Sequence, residues 1–282
     1  MHDAFGDLKG RNAVITGGAG MIGRSLAQAL SRNGVRVAIL DLNLEAAEKA
    51  AAEAARETAG TVVAVAADVL WKESLDHAMH EIHDAIGKLD ILINCAGGNA
   101  PGATTAAEQF EEIHRQSPGE TFFGMDMGGF RRVFDLNVIG TVLPTLVFAR
   151  DMTECGSGSV VNISSMNAFR PLTRIPAYSA AKASINNFTQ WLAVHLAKMR
   201  VRVNAIAPGF FLTDQNRYLL QDAKTGEWTQ RGRKILSATP MGVFGNVEDL
   251  QGAALFLVSD MSRFVTGAVI PVDGGFNAYS GV

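Results

Sequence analysis

The stretch that decides the fold is NAVITGGAGMIG, residues 12–23. The apolar run 12–16 predicts a buried strand, and the helical periodicity of 21–33 predicts the helix that follows it. The glycines between them have a G-x-G-x-x-G spacing, at Gly18, Gly20 and Gly23. Glycines in this context permit a tight turn and a close approach of the backbone to a pyrophosphate, whose charge the helix N-terminus stabilises. The stretch therefore predicts a dinucleotide site, and a purely structural turn is the alternative.

The alternation of short apolar runs and helical patterns continues along the chain. Further strands are predicted at 35–40, 61–66, 89–94, 159–164, 201–207 and 268–272, and further helices at 44–58, 72–86, 130–152, 178–199 and 247–258. Such alternation is typical of a parallel sheet covered by helices on both faces. We therefore expect an α/β fold, a single Rossmann-type doubly wound sheet of seven strands, in one domain over residues 1–282. Two stretches interrupt the alternation: an insertion at 98–129 and a substrate loop at 208–240.

Composition excludes several classes of function. The 282 residues are 48% hydrophobic and 19% charged, with a net charge of -3, so the chain offers no field that would attract nucleic acid or an anionic membrane. The apolar runs are shorter than the roughly 18–20 residues of a membrane span, and the N-terminus lacks the apolar segment of a secretion signal. Two cysteines, Cys95 and Cys155, are not a disulfide framework. We expect a cytoplasmic protein.

No metal site is expected from the sequence. His77, His80 and His83 are spaced three apart on the predicted third helix. Acidic residues are interspersed with them, which indicates a solvated helix face rather than a set of metal ligands.

Two carboxylates at predicted strand ends bear on the choice of cofactor. Asp41 follows Gly23 by 18 residues, where a carboxylate can accept hydrogen bonds from the adenosine ribose and repel a 2′-phosphate. No Lys or Arg lies within 41–48, so NAD is favoured over NADP. Asp68 ends the third strand and can reach the adenine edge. The alternative for each carboxylate is a helix cap.

A tyrosine and a lysine four residues apart suggest acid–base chemistry. Tyr178 and Lys182 lie at the start of a predicted helix, where this spacing places both on one face. A free tyrosine has a pKa of ~10, and a nearby ammonium lowers it by stabilising the phenolate. The pair is therefore a candidate general acid and base for interconverting an alcohol and a carbonyl. Ser165, after the fifth strand, and Asn137, in the preceding helix, complete the set.

These motifs, in this order, resemble those of the short-chain dehydrogenase/reductase family along nearly the whole chain. The shared segments are NCAG (94–97), NAIAPG (204–209) and PVDGG (271–275), together with the residues above. The resemblance implies a catalytic tetrad of Asn137, Ser165, Tyr178 and Lys182. It implies cofactor contacts from Gly17, Gly18, Gly20, Met21, Ile22, Gly23, Asp41, Leu42, Asp68, Val69, Asn94, Ala96, Gly97, Tyr178, Lys182, Pro208, Gly209 and Phe211. The chain departs from the commonest family loop, T-G-x-x-x-G-x-G, because Met21 stands where the middle glycine falls.

The resemblance also implies a mechanism. A nicotinamide cofactor exchanges hydride with a carbon of the substrate while Tyr178 exchanges a proton with its oxygen. Ser165 polarises the carbonyl, Lys182 lowers the pKa of Tyr178 and contacts the ribose, and Asn137 holds a water that links Lys182 to solvent.

A finer resemblance concerns the substrate. The segments 133–149, 162–183 and 204–217 are similar to those of the D-mannonate oxidoreductases of this family, also called fructuronate reductases. This implies NAD-linked interconversion of D-mannonate and D-fructuronate. The alternatives are another reductase of the family, for a gluconate, a polyol or a 3-oxoacyl thioester, and a non-catalytic regulator that binds the cofactor. The presence of both Tyr178 and Lys182 favours an enzyme.

A sugar acid carries a carboxylate, for which arginine is the best-shaped partner. We expect at least one of Arg170, Arg174 and Arg217 to bind it, with surface or subunit contacts as the alternative. Candidates for its hydroxyls are Asn99, Asn167 and Asn216. The helices at 130–152 and 178–199 are apolar on more than one face, and members of the family pair these helices, so a homotetramer is expected.

Overall fold

The computed structural model describes residues 5–100, 102–212, 217–223 and 225–281. The strands are β1 (Asn12–Thr16), β2 (Arg36–Asp41), β3 (Val62–Ala66), β4 (Ile91–Asn94), β5 (Gly158–Ile163), β6 (Val201–Pro208) and β7 (Val269–Val272). They form one parallel sheet in the order β3-β2-β1-β4-β5-β6-β7. A central parallel strand is covered on both faces and needs apolar residues on both, which is why every residue of β1 is buried. The α/β sheet of seven strands is confirmed.

Helices cover both faces of the sheet. They are α1 (Met21–Arg32), α2 (Leu44–Thr58), α3 (Lys72–Ile86), α4 (Met127–Phe134), α5 (Gly140–Cys155), α6 (Pro176–Leu196), α7 (Arg217–Leu220), α8 (Gln230–Ala238) and α9 (Gln251–Val258). Successive strand residues point to opposite faces, so Ile91 and Ile93 pack in one apolar cluster and Leu92 in another. The first cluster includes side chains of α1, α2 and α9, and the second includes side chains of α3, α5 and α6.

The helix after the insertion differs from its predicted span of 130–152. It begins earlier because the Asp126 carboxylate accepts hydrogen bonds from Gly128 N and Gly129 N, both at 2.8 Å, and so caps α4. A π turn, Asp135–Ile139, separates α4 from α5. The helix ends at Gly156, whose φ of 68° is the left-handed conformation of a C-terminal cap.

This helical stretch, 127–155, is by length and composition long and apolar enough to cross a membrane, which the shorter apolar runs of the sequence had not suggested. Half of its most apolar 18-residue segment is buried within the fold, where α5 packs against α3, β4 and β5. The core helix of a globular protein can have the same length and hydropathy, and the packing of α5 against the sheet is that of a core helix.

As far as the structure describes them, the two interruptions of the alternation have little regular structure. The insertion at 98–129 contains three short 3₁₀ turns before α4, at Glu112–Arg115, Pro118–Glu120 and Phe122–Gly124. The loop at 208–240 contains the short helices α7 and α8. Asn216 lies outside the residues that the structure describes.

The order of the strands fixes where a ligand can bind. The chain leaves β1 for β2 on one side and leaves β4 for β5 on the other, although β1 and β4 are neighbours. The loops after these two strands therefore diverge and leave a crevice at their carboxyl ends, which is where such sheets bind ligands. The glycine loop and the segment Asn94–Gly97 both lie at this crevice.

Candidate active site

The glycine loop needs its glycines for close packing. Gly17 has a φ of +60°, and a Cβ there would lie 2.7 Å from the Cα of Ala96. A Cβ on Gly23 would lie 2.6 Å from the Gly17 carbonyl oxygen, and one on Gly18 would lie 2.9 Å from the Ile15 carbonyl oxygen. Met21 is the first residue of α1, so the glycine missing at that position is not one that the turn requires.

The start of α1 has the features of an anion site. Gly20 is its N-cap and offers no side chain to the first turn. The first N–H groups of a helix have no acceptor within it, and the helix dipole favours negative charge there. The first-turn N–H groups of Met21, Ile22 and Gly23 therefore face the end of the helix at which a pyrophosphate would be stabilised.

The loops after β1 and β4 are tied together. The buried hydroxyl of Thr16 accepts hydrogen bonds from Cys95 N and Ala96 N at 3.1 and 3.2 Å. Asn94 donates from Nδ2 to Asn162 Oδ1 at 2.9 Å and to a threonine of α5, so it fixes the end of β4. Loss of hydration raises the pKa of the half-buried Cys95 thiol to about 12, so the thiol stays protonated and unreactive near neutral pH.

Asp41 lies at the end of β2 beside the glycine loop. Its carboxylate accepts hydrogen bonds from Ala19 N at 3.1 Å and from Asn43 N at 3.2 Å. The cap of α2 is Asn43 rather than Asp41, because the Asn43 side chain accepts from Ala46 N. The neighbouring Leu42 is 74% exposed. Asp41 is thus placed beside the loop that would hold the pyrophosphate, which a helix cap would not require.

The residues after β3 are held differently. Asp68 accepts a hydrogen bond from Leu70 N at 2.8 Å, and its own N–H donates to Ser74 Oγ at 3.0 Å. Both bonds shape the turn into α3, so Asp68 has the local role of a turn residue in this structure. Val69 is buried and packs against Gly140, where an added Cβ would lie 3.0 Å from its Cγ2.

Lys182 is a buried cation at the centre of the site. It is 4% exposed, its Nζ donates to the Ile163 carbonyl oxygen at 2.8 Å, and Nζ lies 5.5 Å from the centre of the Tyr178 ring. Pro176 occupies the first turn of α6, where its missing N–H costs nothing, so Tyr178 and Lys182 lie one turn apart on that helix. Burial lowers the pKa of Lys182 to about 8 because the charged form loses its hydration.

Tyr178 and Ser165 are neighbours in the site. Burial raises the pKa of Tyr178 above its usual value, and the polar side chain of Ser165 opposes that shift only in part. The expected lowering of this pKa by Lys182 is not observed in the chain alone. The ammonium is itself desolvated and is directed at the Ile163 carbonyl oxygen, so its stabilisation of the phenolate does not offset the loss of hydration.

The serine before Ser165 has another role. The Ser164 hydroxyl donates to Asn186 Oδ1 and so connects the end of β5 to α6. The Ser165 hydroxyl accepts from Asn167 N at 3.2 Å, which leaves its proton for Tyr178 or a ligand. Of the two serines, Ser165 is the one beside Tyr178.

Asn137 lies in the π turn and holds the segment after β4. Its Nδ2 donates to the carbonyl oxygens of Gly98 and Val133, each at 2.7 Å, and its Oδ1 accepts from Gly98 N at 3.2 Å. A Cβ on Gly97 would lie 2.7 Å from Asn137 Oδ1 and 3.2 Å from Lys182 Nζ. Gly97, Asn137 and Lys182 are therefore in mutual proximity, and only a glycine fits between the other two.

A second wall of the crevice follows β6. Gly209 N donates to the Val272 carbonyl oxygen at 2.9 Å, and a Cβ on Gly209 would lie 2.5 Å from the Cα of Asp273. The Asp273 carboxylate accepts from two N–H groups of its own turn. Pro208 pairs with Val272 at the end of the sheet. Phe211 is 6% exposed and packs against Gly245, so its ring belongs to the core, and a cofactor contact would have to come from its backbone.

A cavity of about 570 Å³ adjoins this wall and the loop before Tyr178. Its lining is Glu108, Pro171, Leu172, Thr173, Arg174, Ile175, Phe210, Gln230, Arg231, Lys234, Ile235, Ala238 and Phe276. Lys234 Nζ lies 2.6 Å from Glu108 Oε2, and Arg174 Nε lies 3.9 Å from Glu108 Oε1. The hydrogen bond and charge of Lys234 hold the pKa of Glu108 below its usual value. Among the described residues that line it, three cations and one carboxylate give this cavity a positive excess, which suits an anionic ligand.

Some of the residues expected to bind substrate do not lie at this cavity. Of the three candidate arginines, Arg174 lines it. Arg170 is exposed, and its guanidinium donates to the Tyr279 carbonyl oxygen at 2.7 Å. Arg217 is also exposed, and its guanidinium donates to Gln221 Oε1 at 3.5 Å. Asn99 is exposed. Asn167 is buried next to Ser165, and its Oδ1 has no hydrogen-bond partner among the described residues.

Glu108, Arg231 and Lys234 were not expected from the sequence. Arg231 and Lys234 lie three residues apart, a spacing that places two side chains on one helix face and could have drawn attention to them. Nothing local connects Glu108 to Lys234, which is 126 residues away. Among the residues that the structure describes, no three or more His, Cys, Asp or Glu side chains are grouped as metal ligands.

Comparison with known proteins agrees with this fold. A family model described as enoyl-(acyl carrier protein) reductase matches residues 17–277. An uncharacterized oxidoreductase of Bacillus subtilis (strain 168), UxuB, is 50% identical over 279 residues, 98% of each chain. The 5-keto-D-gluconate 5-reductase of Escherichia coli (strain K12) is 33% identical over 275 residues, again 98% of each chain.

A solved structure is similar over the same extent. A Haemophilus influenzae protein, provisionally assigned as a D-mannonate oxidoreductase, was solved with bound NAD. It is 49% identical to this chain, with a TM-score of 0.91 over 98% of each chain. The fold and these relatives define an oxidoreductase that acts on CH–OH groups. The chain belongs to the short-chain dehydrogenase/reductase family.

Proposed function

We propose that this chain is an NAD-dependent sugar-acid dehydrogenase that interconverts D-mannonate and D-fructuronate in the cytoplasm. The observation that carries the substrate class is the cavity formed in part by the loop before Tyr178, whose described lining residues include more cations than carboxylates. A cavity of about 570 Å³ is within the usual range for a small-molecule site. The solved relative at 49% identity, which is provisionally described as a D-mannonate oxidoreductase and was solved with bound NAD, supports both the substrate and the cofactor.

The residues at the crevice fit a dinucleotide. Gly17, Gly18 and Gly23 are needed for the close packing of the turn itself, which brings the start of α1 to the crevice, and α1 begins without a side-chain cap. Asp41 supports NAD because a 2′-phosphate would meet its carboxylate, and its neighbours on the way into α2 carry no cation. When bound, NAD(H) supplies or accepts the hydride.

The chain's own groups handle the proton and the charge. In the direction of reduction, the hydroxyls of Tyr178 and Ser165 would both donate to the ketone oxygen, because Ser165 is close enough to Tyr178 to oppose part of the rise in its pKa. Tyr178 gives its proton to that oxygen as negative charge develops there. Lys182, one helix turn away, stabilises the phenolate that remains.

Asn137 holds the backbone that packs against Lys182. Its side-chain amide accepts a hydrogen bond from Gly98 N and donates one to the Gly98 carbonyl oxygen, which keeps Gly97 between Asn137 and Lys182. We assign to it this positioning role, together with the water that would link Lys182 to solvent. Oxidation of the alcohol runs through the same groups in reverse, with Tyr178 accepting the proton.

The rival substrate classes differ from a hexonate in charge or length. A 3-oxoacyl thioester would place a long apolar chain beside Tyr178, whereas this cavity contains Glu108, Arg174, Arg231 and Lys234. A neutral polyol would leave the excess of positive charge without a partner. The E. coli relative named for a ketogluconate also favours an acid.

A panel of hexonates, hexuronates, neutral polyols and a 3-oxoacyl thioester, each assayed with NAD(H) and NADP(H), tests the proposal. We expect the highest kcat/KM with D-mannonate or D-fructuronate, and a strong preference for NAD(H) over NADP(H). Asp41→Ala should weaken that preference. Turnover of the thioester or of neutral polyols in preference to every sugar acid would contradict the substrate class, and equal use of NADP(H) would show that Asp41 does not select the cofactor.

We also propose a homotetramer. Leu146 on α5 is 47% exposed, and Trp191 and Val194 on α6 are 58% and 80% exposed, which is unusual for apolar side chains on helices that are otherwise part of the core. Sedimentation equilibrium at micromolar concentration should give the mass of four chains, and Val194→Glu should shift it to smaller species. A monomeric wild type would contradict the prediction.

A further inference from the structure

Two cations of α8, Arg231 and Lys234, line the cavity, and they differ in their partners. Lys234 is paired with Glu108 at 2.6 Å. Arg231, one turn earlier, lines the same cavity but has no hydrogen bond or ion pair with any residue that the structure describes. Arg174, from the loop before Tyr178, approaches Glu108 only to 3.9 Å. Glu108, the one carboxylate among the described lining residues, is therefore paired mainly with Lys234.

The unmatched charge of the cavity is consequently that of the guanidinium groups. The N–H groups of Arg231 donate to no residue that the structure describes. Arg174 Nε lies 3.9 Å from Glu108 Oε1, close to the longest distance at which two groups count as an ion pair. A guanidinium is planar and can donate two parallel hydrogen bonds to one carboxylate, which an ammonium cannot do. An anionic carboxylate is the ligand chemistry that matches such a free group.

We infer that Arg231 determines specificity for the acid by binding the carboxylate of the substrate, with Arg174 contributing from the neighbouring loop. The inference rests on the proposed function and names the residue that recognises the acid. Lys234 and Glu108 have a different role, because their ion pair joins the insertion to α8 and leaves Arg231 without an ion pair among the residues that the structure describes. Arg231 does not exchange a proton or touch the reacting carbon.

The experiment compares Arg231→Met with a matched control on the same helix. Arg233→Met removes the same charge from α8, but Arg233 is not part of the cavity lining and donates to the Trp228 carbonyl oxygen. Kinetics are measured with D-mannonate and with its neutral amide, D-mannonamide. Binding of D-mannonate is also followed as the rise in the thermal midpoint of the protein.

Arg231→Met should lower kcat/KM for D-mannonate about ten- to hundredfold, chiefly by raising KM, because one charge-assisted interaction is lost. It should change kcat/KM for the amide little, and D-mannonate should no longer raise the thermal midpoint. Arg231→Lys should recover part of the loss, and Arg174→Met should give a smaller loss in the same direction. Arg233→Met should behave as wild type.

The outcomes separate the inference from the proposed function. If the wild type prefers D-mannonate and Arg231→Met keeps that preference, the role of Arg231 is wrong while the proposed function stands. Equal losses for acid and amide would also overturn it, since they would indicate a structural role. If no hexonate is turned over, the proposed reaction fails, and the thermal shift alone then decides whether Arg231 binds the acid. Arg231→Gln replaces the methionine variant if the latter does not fold.

Discussion

Tyr178→Phe is expected to lower kcat about 10²–10⁴-fold, because it removes the only hydroxyl proton that the proposed mechanism transfers. The ring remains, so the packing of α6 around Lys182 should persist. NADH binding, followed by fluorescence, should remain nearly intact. The loss should therefore appear in kcat and kcat/KM together, as for an interaction made in the transition state.

A second tyrosine provides the control. Tyr279 is at the surface near the C-terminal end, where its carbonyl oxygen rather than its hydroxyl accepts from Arg170. Tyr279→Phe should keep wild-type kinetics. A Tyr178→Phe variant that retains more than about a tenth of wild-type kcat would show that another group moves the proton.

Lys182→Met is expected to lower kcat about 10²–10³-fold, the usual effect of removing one preorganised electrostatic partner. Methionine keeps most of the length of the side chain but cannot donate to the Ile163 carbonyl oxygen. Lys182→Arg keeps the charge and should retain more activity than the methionine variant. Equal activities of the two variants would mean that the charge at this position is not used.

The dependence on pH follows from the pKa of Lys182, about 8 in the folded chain against 10.5 for an ordinary lysine. Because the ammonium form is the one that stabilises the phenolate, kcat/KM for ketone reduction should fall as the pH rises through about 8. Lys182→Arg should move this limb to higher pH, since a guanidinium stays charged. If the fall in kcat/KM stays at the same pH in Lys182→Arg, a group other than Lys182 causes it.

Stability should change in the opposite sense. Between pH 8 and 10.5 the unfolded chain still holds the proton on Lys182 that the folded chain has released, so deprotonation favours the folded state and stability rises with pH. Below pH 8 the folded protein carries the full cost of burying the ammonium. The thermal midpoint of wild type, measured relative to Lys182→Met, should therefore increase across this window.

Features encoded in neighbouring residues could be predicted from the sequence. The alternation of apolar runs and helical patterns identifies seven strands because a parallel sheet requires strands that are apolar on both faces. The glycine loop follows from its spacing between a strand and a helix. Tyr178 and Lys182 lie together because four residues separate them on one helix, and Asp41 follows from its place at the end of β2.

Features that depend on distant contacts could not be predicted. The π turn around Asn137 lies inside a continuous helical stretch, between α4 and α5, and the apolar pattern of the sequence does not mark it. Arg170 follows Ser165 closely in the sequence, but its guanidinium reaches a carbonyl oxygen 109 residues away instead of the cavity. The rise in the pKa of Tyr178 depends on how deeply the folded chain buries the ring, which no spacing reveals.

The location of the charged groups has a consequence for how such a chain can diversify. Glu108, Arg174, Arg231 and Lys234 all lie outside the seven strands, in the insertion, a loop and α8, and each retains substantial exposure to solvent. Exchanging an exposed side chain usually changes the free energy of unfolding by less than about 0.5 kcal/mol. A few tolerated substitutions can therefore change the substrate selectivity among acids, amides and neutral sugars while the residues that carry out the hydride and proton transfer stay the same. Relatives with nearly the same scaffold can consequently act on different substrates.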